Sequence, residues 1–198
     1  MRQMMQLMIY ALLATFAQNM IFTAGIGADR AIRAAAKPKQ ILPSAGLVAI
    51  FSLVGLLGSV VSRRLLQAIP ALETVRMLPP ILFLAAAYLL ILLFANLVHK
   101  PLFIYLKEIL SGCAFNSIVM LLGTAGSVYT VSFSKMIGFS IGTGVGFLLA
   151  TLLIAEGIRR IGNPDMDRCF LGLPSLLIYI GILAMAFVGF TGGAGITM

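Results

Sequence analysis

The stretch KQILPSAGLVAIFSLVGLLGSVVSRR, residues 39–64, is an apolar run with a lysine at its start and paired arginines at its end. A second stretch, KMIGFSIGTGVGFLLATLLIAEGIRR, residues 135–160, aligns with it without a gap after a shift of 96 residues. Besides leucines, the shift superimposes Lys39, Ser44, Gly46, Phe51 and the Arg63-Arg64 pair on identical residues. We interpret the chain as a unit repeated once, over about residues 1–98 and 99–198.

The composition predicts a membrane protein. Of 198 residues, 61% are hydrophobic and 10% are charged, and the mean hydropathy is +1.08, whereas a soluble domain is about half apolar and about a quarter charged. These values exclude a soluble globular enzyme. With about 20 apolar residues per crossing, we predict an all-α polytopic protein, a single membrane domain over residues 1–198. Its six predicted transmembrane helices cover residues 4–27, 41–61, 78–98, 102–123, 136–155 and 171–190.

A repeat of three helices crosses the membrane an odd number of times, so its second copy enters from the opposite face. The result is a 3+3 inverted repeat, in which functional sites lie near the midplane at broken helices in matching positions. The first and fourth helices have this character, because polar residues and glycines interrupt both. The candidate residues at these breaks are Gln18, Asn19, Gly27, Gly112 and Asn116.

The basic residues predict the orientation. The net charge is +8, and nine of the 14 Lys and Arg residues fall in or near the first, third and fifth links. Since basic residues concentrate on the cytoplasmic side, both termini are expected on the non-cytoplasmic side of a bacterial cytoplasmic membrane. The same distribution argues against a nucleic-acid-binding face.

Two residues near the breaks have chemistry with alternative interpretations. Cys113 is either a buried cysteine acting as a small hydrophobic residue or a ligand of iron or an iron–sulfur cluster. Asp29 is either a functional acid close to the membrane interior or a solvated residue of the first link that pairs with Arg30 or Arg33. One histidine, His99, cannot form a histidine-rich metal site.

Glycines recur every four residues in the fifth predicted helix, at Gly138, Gly142 and Gly146. This spacing places them on one face, which predicts a close-packing stripe for a neighbouring helix. The second cysteine, Cys169, lies in the last link, and the pair gives no support for a disulfide framework.

The second half of the chain carries motifs of a known family. Cys113-Ala114, Gly138-Phe139-Ser140 with Gly144-Val145-Gly146, and Gly157-Ile158-Arg159 resemble motifs of the Rnf/Nqr membrane proteins, and so does the ending Phe187-Val188-Gly189-Phe190-Thr191-Gly192. In the first half, Gln18-Asn19-Met20 and Gly27 are looser matches. The likeness is greatest to the A-type subunit of Rnf complexes and to the E-type subunit of the sodium-translocating NADH:quinone reductase.

The resemblance implies a subunit of an ion-translocating electron-transport complex with no complete active site of its own. It implies pairing with a homologous subunit of opposite topology, the two sharing a [2Fe–2S] cluster through two cysteines each. Asp29 stands where the family has its first cysteine and Gly112 where it has asparagine, so only Cys113 carries over directly as a ligand, with Asp29 as the other candidate.

Two alternatives to an electron-carrying subunit remain at this stage. A cluster-free paralogue could line a path for a small solute or cation with Asp29, Gln18, Asn19 and Asn116. A structural membrane subunit would need no site at all.

Overall fold

A computed structural model describes residues 2–68, 77–98, 100–125, 132–161 and 172–190. These residues form nine α-helices and one π-helical turn, and no strand occurs among them. The helices are α1 (Arg2–Leu12), α2 (Met20–Ala24), α3 (Ala28–Ala35), α4 (Pro38–Ala68), α5 (Leu78–Val98), α6 (Lys100–Ala114), α7 (Ser117–Ala125), α8 (Phe133–Ile161) and α9 (Leu173–Phe190). The π-helical turn, Leu13–Ala17, follows α1 directly. The prediction of an all-α protein is confirmed for the described residues.

Three helices are long and apolar enough to cross a membrane. They are α4, α5 and α8, and a fourth crossing arises if α6 and α7 are taken as one span bent by 43°. Two shorter apolar helical stretches, Gln3–Ala17 and Leu173–Gly189, lie at the two ends of the described chain. The chain is therefore a multi-pass membrane protein.

The helix predicted over residues 4–27 is broken as expected. The π-helical turn ends at Gln18, and α2 then runs for only five residues before Gly25 and Gly27 take left-handed conformations, with φ of 69° and 82°. Glycine adopts positive φ without the steric clash of a Cβ atom. The fourth predicted helix is likewise divided at residues 115–116, between α6 and α7.

One helix was missed in the sequence. The first link, residues 29–40, contains most of α3, although its charges and Pro38 mark it as a connection. The segment ADRAIRAA is rich in alanine, the strongest helix former, with Asp29 in the first turn and Arg33 in the last. This order of charges suits the helix dipole.

The core forms where α4 and α8, the two aligned stretches, pack against each other. The glycine stripe of α8 is occupied from within the chain, because a Cβ atom on Gly138 or Gly142 would overlap the carbonyl oxygens of Leu7 and Ala11. The predicted close-packing stripe is thus confirmed, and its partner is α1. Other packed pairs are α4 with α6 and α7, α2 with α9, and α5 with α6.

Cys169 and His99 lie outside the described residues.

Candidate functional site

An asparagine caps the helix that follows each break. The Ile21 amide donates to Asn19 Oδ1 at 3.2 Å, and the Ile118 amide donates to Asn116 Oδ1 at 3.4 Å. Both asparagines are buried, with 2% and 3% of their surface exposed. Each cap satisfies one of the unpaired amides at a helix start. The helix after each break therefore begins with the same kind of asparagine cap.

The first break satisfies its own polar groups. Asn19 Nδ2 donates to the carbonyl oxygens of Thr15, at 3.0 Å, and Gly146, at 3.2 Å. The Thr15 hydroxyl donates to the Ala11 carbonyl at 2.8 Å and lies 3.2 Å from the Gly142 carbonyl oxygen. This network fixes the π-helical turn to α8, and it leaves no donor of Asn19 for a ligand.

The second break is different. Asn116 Nδ2 is buried and has no acceptor among the described residues. Gly27 packs directly beside this asparagine, since a Cβ atom there would lie 2.9 Å from Asn116 Oδ1 and 2.7 Å from the Ile118 side chain. The start of α3 is thereby held against the start of α7.

Arg30, in the first turn of α3, reaches into the same region. Its Nη2 donates to the Ile109 carbonyl at 3.1 Å and to Cys113 Sγ at 3.7 Å. Gly112 makes room for the guanidinium, because a Cβ atom there would lie only 2.7 Å from Arg30 Nη1 and 3.1 Å from Nε. A side chain at residue 112 would displace the arginine.

Cys113 is fully buried between two elements. Its thiol donates to the Ser44 carbonyl in α4 at 3.8 Å, while Arg30 approaches it from α3. The Ser44 hydroxyl is also buried and has no partner among the described residues. We call Arg30, Ser44, Gly112, Cys113 and Asn116, with Gly27 beside them, the crossing site.

The structure therefore brings together four of the predicted site residues, Gly27, Gly112, Cys113 and Asn116. Arg30 and Ser44 were missed as site residues. In the sequence, Arg30 was interpreted as a basic residue of a link and a possible ion-pair partner of Asp29, and Ser44 as a repeat match with Ser140. A prediction of α3 from its alanine-rich sequence would have placed Arg30 in the first turn of a helix next to the break at Gly27.

The other predicted residues lie elsewhere. Asp29 is exposed and forms no ion pair with Arg30, Arg33 or any other residue that the structure describes. Gln18 is partly buried, and its backbone amide closes the π-helical turn onto the Leu13 carbonyl at 2.7 Å. Asn19 belongs to the contact with α8 described above.

The crossing site does not fit half of a [2Fe–2S] cluster. Such clusters are held mainly by thiolates, and two are expected from each chain. Among the residues that the structure describes, Cys113 is the one thiol at the site, and it is in contact with a guanidinium rather than a second ligand. In the described part of the chain, no group of three His, Cys, Asp or Glu side chains comes together to hold a metal.

Three apolar helices long enough to span a bilayer, with buried polar groups at two breaks in the neighbouring apolar segments, define the chain as a helical multi-pass membrane protein. About half of it is similar to curated proteins named as the A-type subunit of ion-translocating oxidoreductase complexes. It is 35% identical over 94 residues to the protein from Syntrophotalea carbinolica, 33% to that from Cereibacter sphaeroides and 32% to that from Pasteurella multocida.

These 94 residues are 48% of this chain and 47% of each relative, so the chain spans about half the length of the curated relatives it matches. The resemblance to the Rnf/Nqr family noted in the sequence is confirmed over that part. No protein-family model matches the chain.

Proposed function

We propose that this chain is an integral membrane subunit of an ion-translocating oxidoreductase complex of the Rnf/Nqr type. The observation that carries the proposal is the identity of about one residue in three, over 94 residues, with proteins named as the A-type component of such a complex. An apolar fold with buried, broken helices is compatible with that role. The chain then acts together with redox subunits that bring their own cofactors.

Six spans in two inverted repeats are part of the proposal. The packing supports it, because several contacts between the predicted spans have a counterpart in which the two repeats exchange places. The contact of α1 with α8 corresponds to that of α6 with α4, the contact of α5 with α4 to that of α9 with α8, and the contact of α5 with α7 to that of α9 with α2. The aligned helices α4 and α8 meet at the centre, as a pseudo-two-fold axis requires.

We assign the chain a scaffold role in electron transfer. Since the crossing site does not fit its share of a cluster, the electrons are carried by partner subunits. One of these is a homologous membrane subunit of opposite topology, packed in the same bacterial cytoplasmic membrane. The excess of basic residues in alternate links supports termini on the non-cytoplasmic side.

The test is to purify the full chain, carrying an affinity tag, from membranes of its source organism in a mild detergent. We expect flavin- or iron–sulfur-bearing oxidoreductase subunits to co-purify in one species on native gels, with electron transfer from NADH or reduced ferredoxin. A tagged, unrelated multi-pass protein from the same membranes is the control. A chain that migrates alone, from membranes whose oxidoreductase activity is unchanged by its deletion, would contradict the proposal.

A further inference from the structure

The crossing site contains a positive charge, that of Arg30, which forms no ion pair with any acidic residue in the described part of the chain. Arg30 is partly buried, and both partners of its guanidinium, the Ile109 carbonyl and the Cys113 sulfur, are groups of the apolar interior. Asp29 and Glu108, the acidic residues of the adjoining turns, are exposed, and Glu108 is paired with Lys37. A charge that is partly withdrawn from water is stabilised by a partner of opposite charge.

Three buried hydrogen-bonding groups of the crossing site also lack partners. They are Arg30 Nε, Asn116 Nδ2 and the Ser44 hydroxyl, each buried and without a partner in the described residues. All three can donate. The equivalent amide at the first break, Asn19 Nδ2, has two acceptors. The unmet donors are therefore a property of the second break and not of the repeated unit.

We propose that the crossing site binds one small monovalent anion, held by the Arg30 guanidinium with the Asn116 amide and the Ser44 hydroxyl. An anion supplies both the missing negative charge and the missing acceptor. The start of α7, immediately after Asn116, adds the positive end of a helix dipole. The partial exposure of Arg30 leaves the site a route to water.

Size and charge restrict the ligand. Ile118 packs against Gly27 and the Arg30 guanidinium packs against Gly112 so closely that an added Cβ atom would lie 2.7 Å from either side chain, so these two contacts leave no space for a bulky solute beside them. One guanidinium is neutralised by one negative charge. Chloride, or an anion of similar size, meets both conditions, and binding does not depend on the oxidoreductase role proposed above.

The experiment measures binding of radioactive chloride to the full chain, purified in detergent and gluconate buffer with any subunits that stay bound. Arg30→Gln is compared with Arg33→Gln, which removes an exposed arginine from the same helix. We expect saturable binding of one chloride per chain in the wild type and in Arg33→Gln. In Arg30→Gln the affinity falls by about tenfold or more, as for loss of a charged hydrogen-bond donor.

Ser44→Ala and Asn116→Ala test the other two donors without removing the charge, which matters if Arg30→Gln does not fold. Each is expected to weaken chloride binding severalfold while gel filtration and helical circular dichroism stay unchanged. Absence of saturable binding in the wild type, with water filling the site, would overturn the proposal. Equal affinity in Arg30→Gln, or in both Ser44→Ala and Asn116→Ala, would overturn it as well.

Discussion

Asn19 and Asn116 occupy corresponding breaks and make the same cap, yet their surroundings differ. The side chain of Asn19 uses both ends, with the carbonyl on Ile21 and the amide on Thr15 and Gly146. Asn116 uses only its carbonyl within the described residues. Asn19 therefore connects the first break to α8 with its whole side chain, whereas Asn116 retains an amide donor without an acceptor in the described part of the chain.

This difference predicts unequal effects of removing the two side chains. In chloride-free detergent solution, Asn19→Ala is expected to lower stability by roughly 1–3 kcal/mol more than Asn116→Ala, because it also leaves two buried carbonyls with one partner fewer. The measurement is reversible unfolding followed by circular dichroism. Equal losses for the two variants would show that the contact between Asn19 and α8 contributes little.

The contact between Arg30 and Cys113 yields a second prediction. Cys113→Ala should leave the iron and acid-labile sulfide content of the anaerobically purified protein, with its bound partners, unchanged. The electron paramagnetic resonance spectrum after dithionite reduction should also be unchanged, and Cys169→Ala is the parallel control. Loss of a cluster signal in Cys113→Ala alone would make Cys113 a ligand and refute the scaffold role.

At the scale of the element, the glycines of α8 determine how closely α1 can approach. Gly138 and Gly142 face the backbone of α1. A Cβ atom added to Gly146 would lie 3.2 Å from Asn19 Nδ2. Helices in lipid associate through such close packing and not through the hydrophobic effect. The glycines of α8 therefore allow both the close packing of α1 on α8 and the hydrogen bond between Asn19 and α8.

We predict that Gly142→Ala destabilises the fold, whereas Gly181→Ala does not. An added Cβ on Gly142 would overlap the Ala11 carbonyl, while Gly181 in α9 has no atom within 4 Å of that position. Overpacking is unfavourable by about 1–3 kcal/mol, and alanine is otherwise the better helix former by about 1 kcal/mol. Melting temperatures in detergent should fall for Gly142→Ala and stay level or rise for Gly181→Ala.

The long elements were predictable because apolar length alone specifies a span. The helix predicted over residues 78–98 matches α5 at both ends, and the interruptions were visible as Gln18-Asn19 and as the glycine and asparagine around Cys113. The crossing site was only partly predictable. Arg30 enters it because α3 is helical and because residue 112 has no side chain, and both are facts of three-dimensional packing.

At the scale of the whole molecule, α4 and α8 carry the aligned sequences and form the centre of the packing. The exchange of packing partners between the halves supports a two-fold relation in the membrane plane. If that relation holds, matching residues 96 positions apart lie on opposite faces of the membrane. Arg64 and Arg160, both exposed near the ends of α4 and α8, provide the comparison.

The prediction is tested by labelling with a membrane-impermeant maleimide after Cys113 and Cys169 are replaced by alanine. Arg64→Cys should react in intact spheroplasts, and Arg160→Cys should react in inverted membrane vesicles. Detergent-solubilised samples, in which both cysteines should react, are the control. Labelling of both positions from one side would refute the inverted repeat.

The tie between the first break and α8 has a consequence for biosynthesis. Thr15 and Asn19 bond to residues 127 positions later in the chain. At about 5–20 residues per second, these partners leave the ribosome about 6–25 s after the segment that needs them. Throughout that interval the polar groups of the first break must be sheltered by the insertion machinery or by water at the membrane surface. The first break is therefore fixed in place only after α8 has been made.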